Sequence, residues 1–154
     1  MQYKITKPVR LIELFSGVGA QAMALKQLNV DFMHWKTSEW EVNAIKSYKA
    51  IHMPDDDTDY SAKLNKEELV DALYKINIST NGKDPLEKKQ IARKGEKWLR
   101  NIYNCIKSSK NIGSVINVHA SDLKIIDKDK YEYILTYSFP CTDLSLAGQR
   151  KGIA

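Results

Sequence analysis

The sequence predicts an α/β protein in which helices wrap a parallel sheet interrupted by a helical segment. Three observations predict it: short apolar or β-branched runs alternate with stretches of helical spacing, a glycine-punctuated turn joins the first run directly to a helix, and the middle third carries amphipathic helix patterns without a strand pattern. With 154 residues, 43% of them hydrophobic, the chain can build one domain around a real core. No apolar stretch approaches the roughly 20 residues a bilayer needs, and the start, Met1-Gln2-Tyr3-Lys4, is not signal-like. A cytoplasmic protein without a membrane span is therefore expected. Two cysteines, Cys105 and Cys141, are too few for a disulfide scaffold or a structural zinc site.

Residues 9–15, Val-Arg-Leu-Ile-Glu-Leu-Phe, read as a buried strand, followed by the turn Ser16-Gly17-Val18-Gly19-Ala20 and a helix over 21–28. Residues 31–37 form a second strand, ending at Ser38-Glu39-Trp40, and 42–48 a second helix. The acidic cluster 54–59 lacks the ordered ligand spacing of a calcium loop and reads as a solvated loop, with no metal site assigned. Asn65 and Glu68 make a capping box for a helix with Leu69, Ala72, Leu73 and Ile76 on one face. A longer helix starting at Asp84, Pro85 and Glu87 presents Ile91, Trp98, Leu99, Ile102 and Ile106. Cys105 on that helix reads as a small buried hydrophobe. Residues 114–118 are a third strand ending near Ser121-Asp122, and 133–137 a fourth, leaving through Phe139-Pro140-Cys141.

Residues 63–110 carry 12 Lys and Arg against 6 Asp and Glu, whereas the rest of the chain is nearly balanced. Such a segment is either a solvated helix pair or a surface that meets nucleic acid.

A strand entering Gly17-x-Gly19 and then a helix lets a ligand approach the backbone and aims helix N–H groups at it. Glu39, at the next strand end, has a carboxylate suited to two ribose hydroxyls, so an adenosine-type ligand is expected. Taken alone, the G-x-G-x-x-A spacing through Ala22 also permits a nicotinamide enzyme, although that gives Pro140-Cys141 no role. Asp122 is either a loop-capping residue or an acceptor for an adenine amino group. Pro140 fixes the backbone ahead of Cys141, whose sulfur is then expected to face the crevice.

These stretches resemble the C5-cytosine DNA methyltransferases. Leu11 to Gly19 is similar to their first motif, Ser38-Glu39-Trp40 to the second, Ser121-Asp122-Leu123 to the third, and Phe139-Pro140-Cys141 through Gly152 to the nucleophile motif. The resemblance implies a Rossmann-like S-adenosylmethionine-dependent methyltransferase fold, here a partial parallel sheet, with 55–110 as a lysine-rich helical insertion. It implies S-adenosyl-L-methionine as cofactor, held by Phe15, Ser16, Gly17, Gly19, Glu39, Trp40, Asp122, Leu123 and Pro140. Cys141 is the implied nucleophile, and Ser145, Arg150 and Lys151 are the implied contacts to double-stranded DNA with a flipped cytosine.

The chemistry fits those residue types. A thiolate adds to cytosine C6 and enriches C5, which is otherwise too poor a nucleophile to be methylated, and the base must leave the duplex for C6 to be reached. Departures are Ala20 where the family usually has glycine, Thr142 for Gln and Tyr133 for Asp. The family's Glu-Asn-Val acid, Arg-x-Arg pair and target-recognition domain are not found before Ala154. The expectation is thus an N-terminal portion, active only when a complementary C-terminal chain supplies the rest. The alternative is an inactive truncated remnant that only binds S-adenosylmethionine or DNA.

Overall fold

The first strand, β1 (Val9–Leu14), is central because it is apolar on both faces and its first five residues are all buried. The computed structural model describes residues 4–138, and among them the sheet has three parallel strands in the order β2-β1-β3, with β2 at Phe32–Ser38 and β3 at Glu132–Tyr137. Two charged residues interrupt the apolar run of β1, and each is accommodated differently. Glu13 is bound by donors described below. The Arg10 guanidinium lies 3.7 Å from the centre of the Trp35 ring and 3.5 Å from that of Tyr131, and donates to the Tyr133 hydroxyl at 2.7 Å. Trp35 reaches it through a bulge: Leu11 pairs with His34 and Ile12 with Lys36, leaving Trp35 as the extra residue.

Helix α1 (Ala20–Gln27) follows the glycine turn, and α2 (Val42–His52) follows β2 with the Glu41 side chain accepting from the Ala44 N–H at its start. Helix α3 (Lys66–Lys75) opens with the expected box, in which Asn65 and Glu68 cap each other's backbone. Val42 and Ile45 of α2 join Leu69, Leu73, Ile78, Ile91, Leu99, Ile102 and Ile106 in the main apolar cluster, with Cys105 at its edge. Burial raises the pKa of the Cys105 thiol, as expected of a packing residue. The acidic loop is tied down by its own carboxylates: Asp56 accepts from Ser108 at 2.6 Å, and Asp59 from Ser61 at 2.6 Å and Asn104 at 3.0 Å. Among the described residues no cluster of three His, Cys, Asp or Glu is arranged to hold a metal, and no helix is long and apolar enough to cross a membrane.

Two expected elements differ. The single long helix is two, α4 (Lys88–Ala92) and α5 (Glu96–Ser108), because Gly95 stands extended at the start of α5. The expected third strand at 114–118 is a 3-10 turn, Val115–Asn117, followed by another at Ala120–Leu123. The chain does reach the edge of β2, but only earlier, where Ile112 donates to Thr37 at 2.9 Å. Gly113 then turns it away at φ 89°, so close to Ile76 that an added Cβ would lie 2.5 Å from its carbonyl oxygen.

Candidate functional site

Parallel strands bring their carboxyl ends to one side of the sheet, where an α/β crevice forms. Here the ends of all three strands, at Phe15, at Ser38 to Trp40 and at Ser138, line one cavity of about 330 Å³. Gly82 and Ser114 to Ile116 complete the lining. These last residues were not legible as site residues, since Asn81-Gly82 signals only a turn and 114–116 read as strand interior.

The turn is held by short local bonds. Ser16 donates its N–H to the Ser38 carbonyl at 3.0 Å, and Gly19 to the Ser16 carbonyl at 2.8 Å. Phe15, Gly17 and Gly19 all have positive φ. The two glycines serve different purposes. An added Cβ at Gly17 would meet nothing within 4 Å, whereas at Gly19 it would lie 2.2 Å from His52 Nε2 and 2.7 Å from the Tyr48 ring. Gly17 therefore borders open space, and Gly19 makes room for the protein's own side chains. Ala20 begins α1 and is exposed, so its methyl does not crowd the turn. Ser16 is 4% exposed, and its hydroxyl has no hydrogen-bond partner.

Glu39 joins the turn to the second strand end. Its Oε2 accepts from the Gly17 N–H at 2.9 Å, and its Oε1 from the N–H groups of Trp40 at 2.8 Å and Glu41 at 2.9 Å. A carboxylate offers about four acceptor positions, so one remains open, on Oε2. The backbone of Glu39 is clamped by Asn111, whose amide donates to the Glu39 carbonyl at 3.0 Å while its Oδ1 accepts from the N–H of Glu39 at 3.2 Å and of Gly113 at 2.8 Å. No motif pointed to Asn111. Trp40 is fixed by the segment before α4: Ser79 donates its N–H to the Trp40 carbonyl at 2.7 Å and its carbonyl accepts from Val42 at 2.9 Å. Part of the lysine-rich segment thereby builds a wall of the cavity.

Helix α1 has glycine at its N-cap and no capping side chain. Glu13, 1% exposed on β1, takes that role from a distance: Oε1 accepts from the Ala22 N–H at 3.1 Å and Oε2 from the Tyr48 hydroxyl. Burial raises the pKa of Glu13, and these two donors oppose the rise.

The structure brings Phe15, Gly17, Glu39 and Trp40 together. It places Asp122 elsewhere, capping its own 3-10 turn by accepting from the His119 N–H at 2.9 Å and lining a separate cavity with Lys36, Lys75 and Lys124. The Leu123 carbonyl accepts from the Trp35 indole at 3.0 Å. Pro140, Cys141, Ser145, Arg150 and Lys151 lie outside the described residues.

A model of the family described as C-5 cytosine-specific DNA methylase matches residues 9–82 and 78–154. The orphan methyltransferase M.SssI of Spiroplasma monobiae is 37% identical over 96% of this chain, and the type II methyltransferase M2.ScrFI of Lactococcus lactis subsp. cremoris is 32% identical over 94%. The chain spans 38% of the length of each of these relatives. An orphan methyltransferase of Bacillus phage rho11s, M.Rho11sI, is 38% identical over 40% of the chain. With the strand-end cavity, the turn and the Pro-Cys motif all falling within the matched residues, this chain belongs to the C-5 cytosine-specific DNA methylase family.

Proposed function

We propose that the chain takes part in methylating cytosine C5 in double-stranded DNA, contributing the cofactor pocket and the nucleophile. The observation that carries this reading is the meeting of Phe15, Glu39 and Trp40 in one cavity at three parallel strand ends, the last of which runs on through Ser138 to Pro140-Cys141. Cys141 follows Ser138 by three residues of chain, a span of at most about 11 Å.

The residues fit S-adenosylmethionine. Gly17 leaves open space beside a turn of positive φ, the buried Ser16 hydroxyl is unpartnered, Glu39 keeps one acceptor position for a ribose hydroxyl, and Trp40 supplies an aromatic wall for a purine. When bound, this cofactor supplies an electrophilic methyl group on sulfur. Asp122 and Leu123 join the pocket only if the 3-10 turn at Ala120–Leu123 moves; Pro140 would border it from the nucleophile side.

Cys141 is the proposed nucleophile. Its thiolate adds to C6 of a cytosine extruded from the duplex and raises the electron density at C5. Ser145, Arg150 and Lys151 are the proposed phosphate contacts that hold the DNA meanwhile. A complementary chain or segment is proposed to supply the ring-protonating acid and the recognition of sequence, consistent with a match to 38% of each relative. A cytoplasmic location goes with work on DNA.

The test is transfer of tritiated methyl to duplex DNA, with the chain alone and mixed with the C-terminal remainder of a relative, alongside dialysis against labelled S-adenosylmethionine. Transfer by the mixture that Cys141→Ser abolishes is expected. Cofactor binding without transfer in any mixture would leave the chain a binding module, and no binding at millimolar cofactor would overturn the pocket.

A further inference from the structure

Beneath the glycine turn lies a set of buried and half-buried titratable groups to which the proposed reaction gives no role. Helix α2 contributes Tyr48 and His52, β1 Glu13 and β2 His34. The ring centres of Tyr48 and His52 are 4.5 Å apart, and those of His34 and His52 5.3 Å.

Donor and acceptor counting fixes which atoms carry the protons. His52 Nε2 is 3.0 Å from the Val18 carbonyl, which can only accept, and its Nδ1 is 3.4 Å from the Lys26 ammonium, which can only donate. His52 is therefore neutral with its hydrogen on Nε2, and that hydrogen holds the turn. Tyr48 donates its hydroxyl hydrogen to Glu13, so its oxygen accepts from Nδ1–H of His34 at 2.8 Å. Glu13 in turn receives the Ala22 N–H of the helix that the turn leads into. One line of bonds thus runs from His34 to the start of α1, and a second from Lys26 through His52 to the turn.

We propose that Glu13, Tyr48 and His52 are positioning residues of the Ser16-to-Gly19 turn, whose hold on it loosens when the cluster takes up protons, so that affinity for S-adenosylmethionine falls on acidification. This rests on the cofactor reading above. A proton on His52 Nδ1 would face the Lys26 ammonium, and one on His34 would add a second charge near His52. The charged or titratable groups facing the pair are Lys26 from α1, Lys110 from the segment after α5, and Tyr48 on α2 itself, whose hydroxyl joins them to Glu13 of β1. Burial, with His52, Lys26 and Lys110 repelling, lowers the pKa of His34 to about 4, and burial also lowers that of His52. Both are neutral at pH 7. Gly19 links the rings to the turn sterically, because its missing Cβ is what lets His52 sit against it.

The experiment measures the dissociation constant for labelled S-adenosylmethionine between pH 5.5 and 7.5 on the full chain and on His52→Gln, His52→Ala and Tyr48→Phe. Amide-exchange protection of residues 16–22 is followed in parallel. For the unaltered chain the constant is expected to rise about two- to threefold on acidification to pH 5.5, because both histidines titrate below their ordinary range, with protection of the Gly19 and Ala22 amides falling in step. His52→Gln, whose amide can still donate to the Val18 carbonyl but does not titrate, should bind within about threefold of the unaltered chain at pH 7.5 and respond less to pH. His52→Ala should bind about tenfold more weakly at either pH, and Tyr48→Phe should fall between. Unchanged affinity in His52→Ala, or an undiminished pH response in His52→Gln, would overturn the proposal. If the unaltered chain binds no cofactor, the cofactor reading fails and the affinity claim with it; the exchange data then separately decide whether protons loosen the turn.

Discussion

Gly17 and Gly19 look equivalent in a motif, and the structure separates them. Alanine at Gly19 would force a methyl into His52 and Tyr48 at φ 83°, so Gly19→Ala is expected to destabilise the fold by about 3 kcal/mol or more. Gly17→Ala meets only open space, and the left-handed backbone costs about 1 kcal/mol, so it should keep the fold and lose cofactor binding. Urea unfolding midpoints beside cofactor dialysis check both. The histidines set a pH dependence whose sign follows from burial. His34 holds fewer protons folded than unfolded between its ordinary 6.5 and about 4, so its contribution is complete above that window and is lost as pH falls through it. His52 acts in the same direction, while Glu13, with its pKa raised, opposes them over the range just above 4.5. The melting temperature is expected to drop between pH 7 and pH 5, with a shallower drop in His34→Gln, as read by scanning calorimetry.

The segments that position the site were legible to different degrees. The first strand, its turn and the second strand declared themselves because apolar runs ended at glycines or at Ser-Glu-Trp, and the Asn65 box because capping chemistry is local. The strand expected at 114–118 failed for a reason that composition does not carry: Gly113 pivots against Ile76 one residue after the chain meets β2. Asn111 and Ser79 stayed hidden for a similar reason, since each acts on backbone far away in sequence. The Ser79 hydroxyl receives the Gly82 N–H at 2.9 Å and donates to the Asp84 carbonyl at 2.7 Å, so Ser79→Ala should cost about 1–2 kcal/mol and loosen the wall behind Trp40. Asn111→Ala unpairs three backbone groups at once. A larger loss, about 2–4 kcal/mol, is expected there, together with weaker cofactor binding, measurable by the same melts and dialysis.

Across the whole molecule, charge is distributed unevenly. Lys36, Lys75 and Lys124 line a cavity of about 290 Å³ with Asp122, whose Oδ2 accepts from its own turn. Partial burial, then repulsion from Lys124, Lys110 and Lys107, lowers the pKa of Lys36. A passing phosphate would relieve that repulsion. If duplex DNA lies here, replacing Lys36, Lys75 and Lys124 together by glutamine should flatten the salt dependence of DNA binding, by about 0.9 in log–log slope for each phosphate that is no longer neutralised, as read by fluorescence anisotropy. An unchanged slope would mean that these lysines are merely solvated. The three tryptophans are distributed as usefully for measurement as the lysines are for charge. Trp35 lies beneath the Arg10 guanidinium, Trp40 lines the strand-end cavity, and Trp98 packs against the helical cluster. Each indole sits in a different solvent and charge environment, so three single-tryptophan variants would give intrinsic emission signals for the sheet, the pocket and the helices separately, without an attached dye.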